Sequence, residues 1–235
     1  MPYLQRKSAG SRKRQYRAYG LGAGLGLAAC LVLILPQCES LHARGPMNTG
    51  HGSVRCAACH KTAAGSPRQQ IQANIQLALG RREASADFIH SAVGNEQCLR
   101  CHERPNDRHP VYRFLEPRFA KAREKISPQS CVSCHNEHRD RRVTLGRIDY
   151  CRYCHEKTKL RKDPLDISHA DLITLKQWDT CLGCHDFHGN HIMKTERTVE
   201  AAVSQNKILA YFQGDESPYG NKVRYPAKKE ASHVE

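Results

Sequence analysis

Aromatic side chains are scarce in this sequence: they make up 6% of 235 residues, with one tryptophan. A chain of this length ordinarily needs more large apolar side chain to fill one or two domain cores. Something besides peptide packing has to fill the interior. Acidic residues are missing from positions 1–17, and charge of either sign is missing from Ala18 to Cys38. Spare cysteine is also missing. Ten of the twelve cysteines belong to one repeated pattern, and the other two, Cys30 and Cys38, lie in the apolar N-terminal region. The main body of the chain therefore has no cysteine left to form a disulfide.

The pattern is Cys-x-x-Cys-His, and it occurs five times. The copies are Cys56–Cys59–His60, Cys98–Cys101–His102, Cys131–Cys134–His135, Cys151–Cys154–His155 and Cys181–Cys184–His185. This is the attachment signature of c-type haem: two thiols bond the porphyrin vinyl groups and the adjacent histidine ligates the iron. Zinc sites also use Cys-x-x-Cys pairs, and redox centres use Cys-x-x-Cys, but neither requires a histidine after every pair. The spacing predicts five covalently bound haem c groups. They would supply the missing apolar bulk, with roughly 35 residues of chain per motif between Leu41 and Gln213. That density predicts a mainly α fold with extensive loops wrapped around five haems and little or no β.

The formal charge is +14, a balance that can mark nucleic-acid binding. Here it does not. Six of the positive residues (Arg6, Lys7, Arg12, Lys13, Arg14 and Arg17) precede the apolar run, leaving 31 basic against 23 acidic side chains. The haem propionates offset most of that surplus.

The run from Ala18 to Cys38 spans 21 residues. As a helix it measures about 31 Å at ~1.5 Å per residue, close to the ~30 Å of a bilayer core. Basic residues on its N-terminal side place that end in the cytoplasm. The expectation is a single-pass inner-membrane anchor at 18–38, a cytoplasmic N-terminus at 1–17, a linker at 39–50, a periplasmic pentahaem domain at 51–213 and a flexible tail at 214–235. A cleaved signal peptide and a lipoprotein at Cys30 are the alternatives. Gly20/Gly24 and Gly22/Gly26 form small-xxx-small pairs that could receive another helix.

Helical periodicity marks Arg68–Leu79, Phe114–Lys125, Ser168 to about Trp178, and Thr198–Gln213 with Gly214 as its cap. Two motifs repeat further: His135-Asn136-Glu137-His138 and His185-Asp186-Phe187-His188 each carry a second histidine three residues on.

Nine histidines lie outside the motifs. A histidine in the second axial position closes an iron site for electron transfer, whereas an open position admits substrate. The five candidates are His51, His90, His138, His169 and His188, with His109, His191 and His42 in reserve and Met47 as an outside choice; His233 reads as solvated. Three residues are too few to wrap around a porphyrin, so His138 and His188 would serve a neighbouring haem. His51 is placed near the first motif.

Five such motifs, surplus histidines and little chain per haem resemble the multihaem c-type cytochromes of class III type, which are bis-histidine electron carriers. The basic N-terminus and single anchor over residues 1–191 are similar to the NapC/NirT group. That resemblance implies electron transfer between a membrane donor (the quinol pool or a respiratory complex) and a periplasmic or outer-membrane acceptor. Two other classes compete: a nitrite- or hydroxylamine-type reductase with one five-coordinate haem, and a subunit of a larger respiratory complex or haem filament. The Cys-x-x-Cys-Lys that resembles the active haem site of ammonia-forming nitrite reductases is absent.

Overall fold

The structure, a computed structural model, describes residues 9–228 apart from 36, 37, 39, 40 and 42. His42 and His233 lie outside the described residues, as do Arg6 and Lys7. Two compact units divide the chain, Met1–Pro46 and Met47–Glu235.

The first unit carries helix α1, Ala9–Ile34. Within it, Gly10–Leu33 is long and apolar enough to cross a membrane. The helix begins before the apolar run because Arg12, Lys13, Arg14 and Arg17 are good helix formers that continue it toward its N-terminus.

The second unit consists of short helices joined by loops, with no strand among the described residues and only two isolated bridges, Thr62–His90 and His191–Val223. Each motif forms or enters one helical turn. Four do so as α-helix: α2 (Cys56–Cys59), α4 (Asn95–His102), α6 (Arg152–His155) and α8 (Cys181–Cys184). The third motif forms a 3-10 turn, Cys131–Ser133. Between them lie α3 (Pro67–Ala78), α5 (Ala120–Ile126), α7 (His169–Thr174) and α9 (Gln205–Gln213).

Local chemistry explains these boundaries. Helix α3 opens with Pro67 at its first position and a capping box. Gln69 N–H donates to Ser66 Oγ, and Ser66 N–H donates to Gln69 Oε1. Buried Gln70 then clamps the preceding loop, donating from Nε2 to the carbonyls of Ala63, Ala64 and Gly65 and accepting from Ile89 N–H.

Three expected helices come out shorter. Pro117 breaks the second into 3-10 turns at Val111–Leu115 and Pro117–Phe119 before α5. Helix α7 stops at Thr174 because Lys176 turns left-handed, with φ +57°. The fourth starts at Gln205 and not at Thr198, since Val203 N–H is engaged by the Gly183 carbonyl and Ser204 is extended. Gly214 ends it at φ +120°.

A peptide core of Ile148, Tyr150, Leu182, Ile208, Phe212 and Tyr219 sits around α8 and α9. Gly183 is required there: a Cβ on it would lie 2.7 Å from the Val203 carbonyl oxygen.

The linker and tail boundaries shift. Asn48, expected in the linker, is buried and bonds Glu137, Asn136 and Arg139. Residues 214–228, expected to be loose, lie along the fifth motif and its following loop. Tyr219 Oη donates to the Leu182 carbonyl at 2.8 Å, Ile192 N–H to Lys222 O, and Arg224 N–H to Asn190 O. Tyr219 is the apolar anchor that composition alone conceals in this polar stretch.

Candidate metal centres

Two imidazoles sharing one metal at about 2.0–2.1 Å each have ring centroids roughly 6 Å apart. Every motif histidine has such a neighbour. His102 faces His51 at 5.8 Å, His155 faces His109 at 6.0 Å, His185 faces His169 at 6.2 Å and His135 faces His188 at 6.3 Å. His60 has two, His90 at 5.9 Å and His138 at 6.2 Å.

The placement differs in part from the sequence reading. His51 lies against the second motif and not the first, because its Nδ1 is held by Glu137 of the third motif's turn at 3.0 Å. His109, held in reserve, faces His155. His191 packs on Tyr219 and Tyr211 and not on a motif histidine, its Nδ1 bonded to Asp186 at 2.8 Å. His138 and His188 each lie beside a motif other than their own.

The second ring nitrogen is engaged in most of these pairs. His169 Nδ1 meets Asp163 at 3.0 Å and His188 Nδ1 meets Asp107 at 3.0 Å. His109 Nδ1 meets the Phe187 carbonyl, and His135 Nδ1 meets the Arg142 carbonyl at 2.7 Å. With the Nδ1 proton committed to an acceptor, Nε2 is left unprotonated, its lone pair available to a metal between the two rings. Glu137, Asp107, Asp163 and the Phe187 carbonyl were not found from sequence. Aspartates near histidines were visible, but Asp107, two residues before His109, bonds His188 through space.

The two repeated turns are junctions. His135 faces His188, Glu137 holds His51, and His138 lies beside His60, so one turn touches three pairs. In the other turn His185 faces His169, Phe187 holds His109 through its carbonyl, and His188 faces His135. The motifs also adjoin directly. Cys98 and Cys131 are within thiol hydrogen-bond reach of each other, as are Cys151 and Cys181. Asn95 ties the second motif to the third, accepting from Cys131 N–H at 2.9 Å and donating to Gln129 O at 2.8 Å.

Burial favours the neutral, metal-binding form of three motif histidines: it pushes His102 down to about 4, with nearby Arg104 adding to the effect, and lowers His135 and His185. It lowers His109, outside the motifs, in the same way. Burial alone would raise Glu137 and Asp107, but the bonds from His51 and His188 outweigh it and both carboxyls fall below their ordinary values.

These residues fit haem. The donors come as opposed histidine pairs beside paired cysteines, and among the described residues no three His, Cys, Asp or Glu side chains converge on a bare-ion site. Two buried guanidinium nitrogens, Arg104 Nε and Arg141 Nε, lack a protein partner, as donors awaiting a carboxylate would.

Residues 51–156 match the family model of cytochrome c3. Four of the five motifs fall within that span, and the fifth lies beyond it. No curated protein and no solved structure is a match. The family match supports a multihaem c-type cytochrome that carries covalently bound haem c and functions in electron transfer.

Proposed function

We propose that the chain is a membrane-anchored pentahaem cytochrome c that passes single electrons from a membrane donor, the quinol pool or a respiratory complex, to a periplasmic or outer-membrane acceptor. The observation that carries this reading is the pairing of all five motif histidines with a second histidine ring at 5.8 to 6.3 Å. Haem iron, when bound, supplies a one-electron Fe(III)/Fe(II) couple whose potential follows from its axial ligands and their surroundings.

The chain's share is attachment, ligation and tuning. Cys56/Cys59, Cys98/Cys101, Cys131/Cys134, Cys151/Cys154 and Cys181/Cys184 hold the five groups. His60, His102, His135, His155 and His185 would each ligate an iron. His51, His109, His169 and His188 would supply the second imidazole to their partners, and His138 or His90 would supply it to His60. A second histidine at every site leaves no open position for substrate, which favours a carrier over a reductase. Helix α1 is the anchor, with the haem domain in the periplasm.

A pyridine haemochrome assay on the purified full-length protein, combined with intact mass, tests the count. Five haems per chain is the expected result; four would restrict the reading to the segment matched by the family. Fractionation with protease protection of intact cells tests the anchor and its orientation.

A further inference from the structure

Four of the paired histidines outside the motifs have their Nδ1 bonded in similar geometry to acceptors of different charge. His51 meets Glu137, His169 meets Asp163 and His188 meets Asp107, each at 3.0 Å. His109 meets the neutral carbonyl of Phe187. The three carboxylates are held by more than the histidine. Glu137 also accepts from Asn48 N–H at 2.7 Å, Asp107 from His109 N–H at 2.8 Å and Asp163 from His169 N–H at 2.7 Å. Each is therefore fixed in place. A carboxylate on Nδ1 draws its proton and makes the opposite nitrogen a stronger donor. A stronger donor, with a negative charge a few ångströms from the metal, favours the oxidised iron. A backbone carbonyl does this much less.

We propose that Glu137, Asp107 and Asp163 are redox-tuning residues that lower the reduction potential of their three sites, leaving the His109–His155 site the most easily reduced of the four. The proposal rests on the bis-histidine reading above. Arg104 beside His102 and His135, and Arg108 beside His185, act in the opposite sense. They act through space, whereas the carboxylates are hydrogen-bonded to the ligand itself, so the carboxylates dominate. The positions are not interchangeable. Glu137 and Phe187 occupy equivalent places in the two repeated turns, one offering a charged side chain and the other only its backbone.

The test is spectroelectrochemical titration of the full-length haem protein and of Glu137→Gln, Asp107→Asn and Asp163→Asn. The amide oxygen still accepts from Nδ1, so ligation is kept and only the charge is lost. Each variant is expected to raise chiefly the midpoint potential of the site whose histidine it bonds, by about a tenfold shift toward reduced iron, 59 mV for a one-electron couple, with smaller shifts at neighbouring sites and with haem content and low-spin signals unchanged. The charge-keeping Asp163→Glu should stay near the parent value. In the parent protein, the highest of the four potentials should be the one displaced by His109→Met. Unmoved potentials in variants with intact low-spin signals would overturn the proposal, as would displacement of one of the lower potentials by His109→Met. A high-spin signal in the parent protein would instead overturn the bis-histidine reading on which the proposal rests. If an amide variant loses haem, the His109→Met assignment decides alone.

Discussion

His188 follows His185 by three residues, yet its ring stacks on His135 of the third motif, 6.3 Å away between centroids at an interplanar angle of 29°. The turn after the fifth motif thereby brings a second imidazole to the histidine of the third. Asp107 fixes the far side of the His188 ring, and Asp186 accepts from His188 N–H at 3.2 Å, holding the turn that delivers it.

Replacing His188 should therefore open the third site and not the fifth. His188→Ala is expected to convert one haem from low to high spin while the count stays at five. EPR of the oxidised variant reads this. Combining it with His135→Met, which alters the ligand of the third site, should change that same high-spin signal; a second, separate altered site would place His188 elsewhere.

The cap of α3 should matter to stability and not to ligation. Ser66 Oγ accepts from Gln69 N–H at the helix start. Ser66→Ala should cost about 1 kcal/mol, a loss of roughly 2–4 °C in Tm for a chain of this size. The absorbance of the reduced protein should be unchanged. Thermal unfolding followed by circular dichroism measures it.

Gly183 is a packing requirement inside a haem motif. Because a Cβ there would meet the Val203 oxygen at 2.7 Å, Gly183→Ala should push α8 from the Ala202–Val203 segment that leads into α9, at a cost of about 1–3 kcal/mol. Denaturant unfolding should show a lower midpoint.

Residues 214–228 are structural. Tyr219 is buried, and its hydroxyl bonds the Leu182 carbonyl. Tyr219→Phe should cost about 1 kcal/mol or somewhat more by leaving that buried carbonyl short of a donor. Ending the chain at Gln213 should cost more, since it also removes the strap bonded to Asn190 and Ile192. Limited proteolysis of the intact protein should spare this stretch.

The sequence announced its five Cys-x-x-Cys-His motifs because that signature is local: two thiols and a histidine within five residues. The helix α3 start was equally legible, since Ser66, Pro67 and Gln69 make a self-contained cap. The partner histidines were only partly legible. Three residues cannot circle a porphyrin, so His138 and His188 were expected beside motifs other than their own, as they lie, but which motif each reaches depends on the path of whole loops. His51 and His109 show why. Each is held by an acceptor from another motif's turn, Glu137 and Phe187, at a separation no local pattern encodes. His191, held in reserve from the sequence, is claimed by Asp186 and two tyrosines. Residues 214–228 concealed their order because one buried tyrosine and backbone bonds suffice to hold them.

The most direct measurement is EPR of the oxidised full-length protein once five haems per chain are established. If each motif histidine shares its iron with a second histidine, only low-spin signals will be present, accounting for all five irons. A high-spin signal approaching one haem per chain would contradict this. It would mean an open coordination position, and the chain would have to be read as an enzyme and not as a carrier.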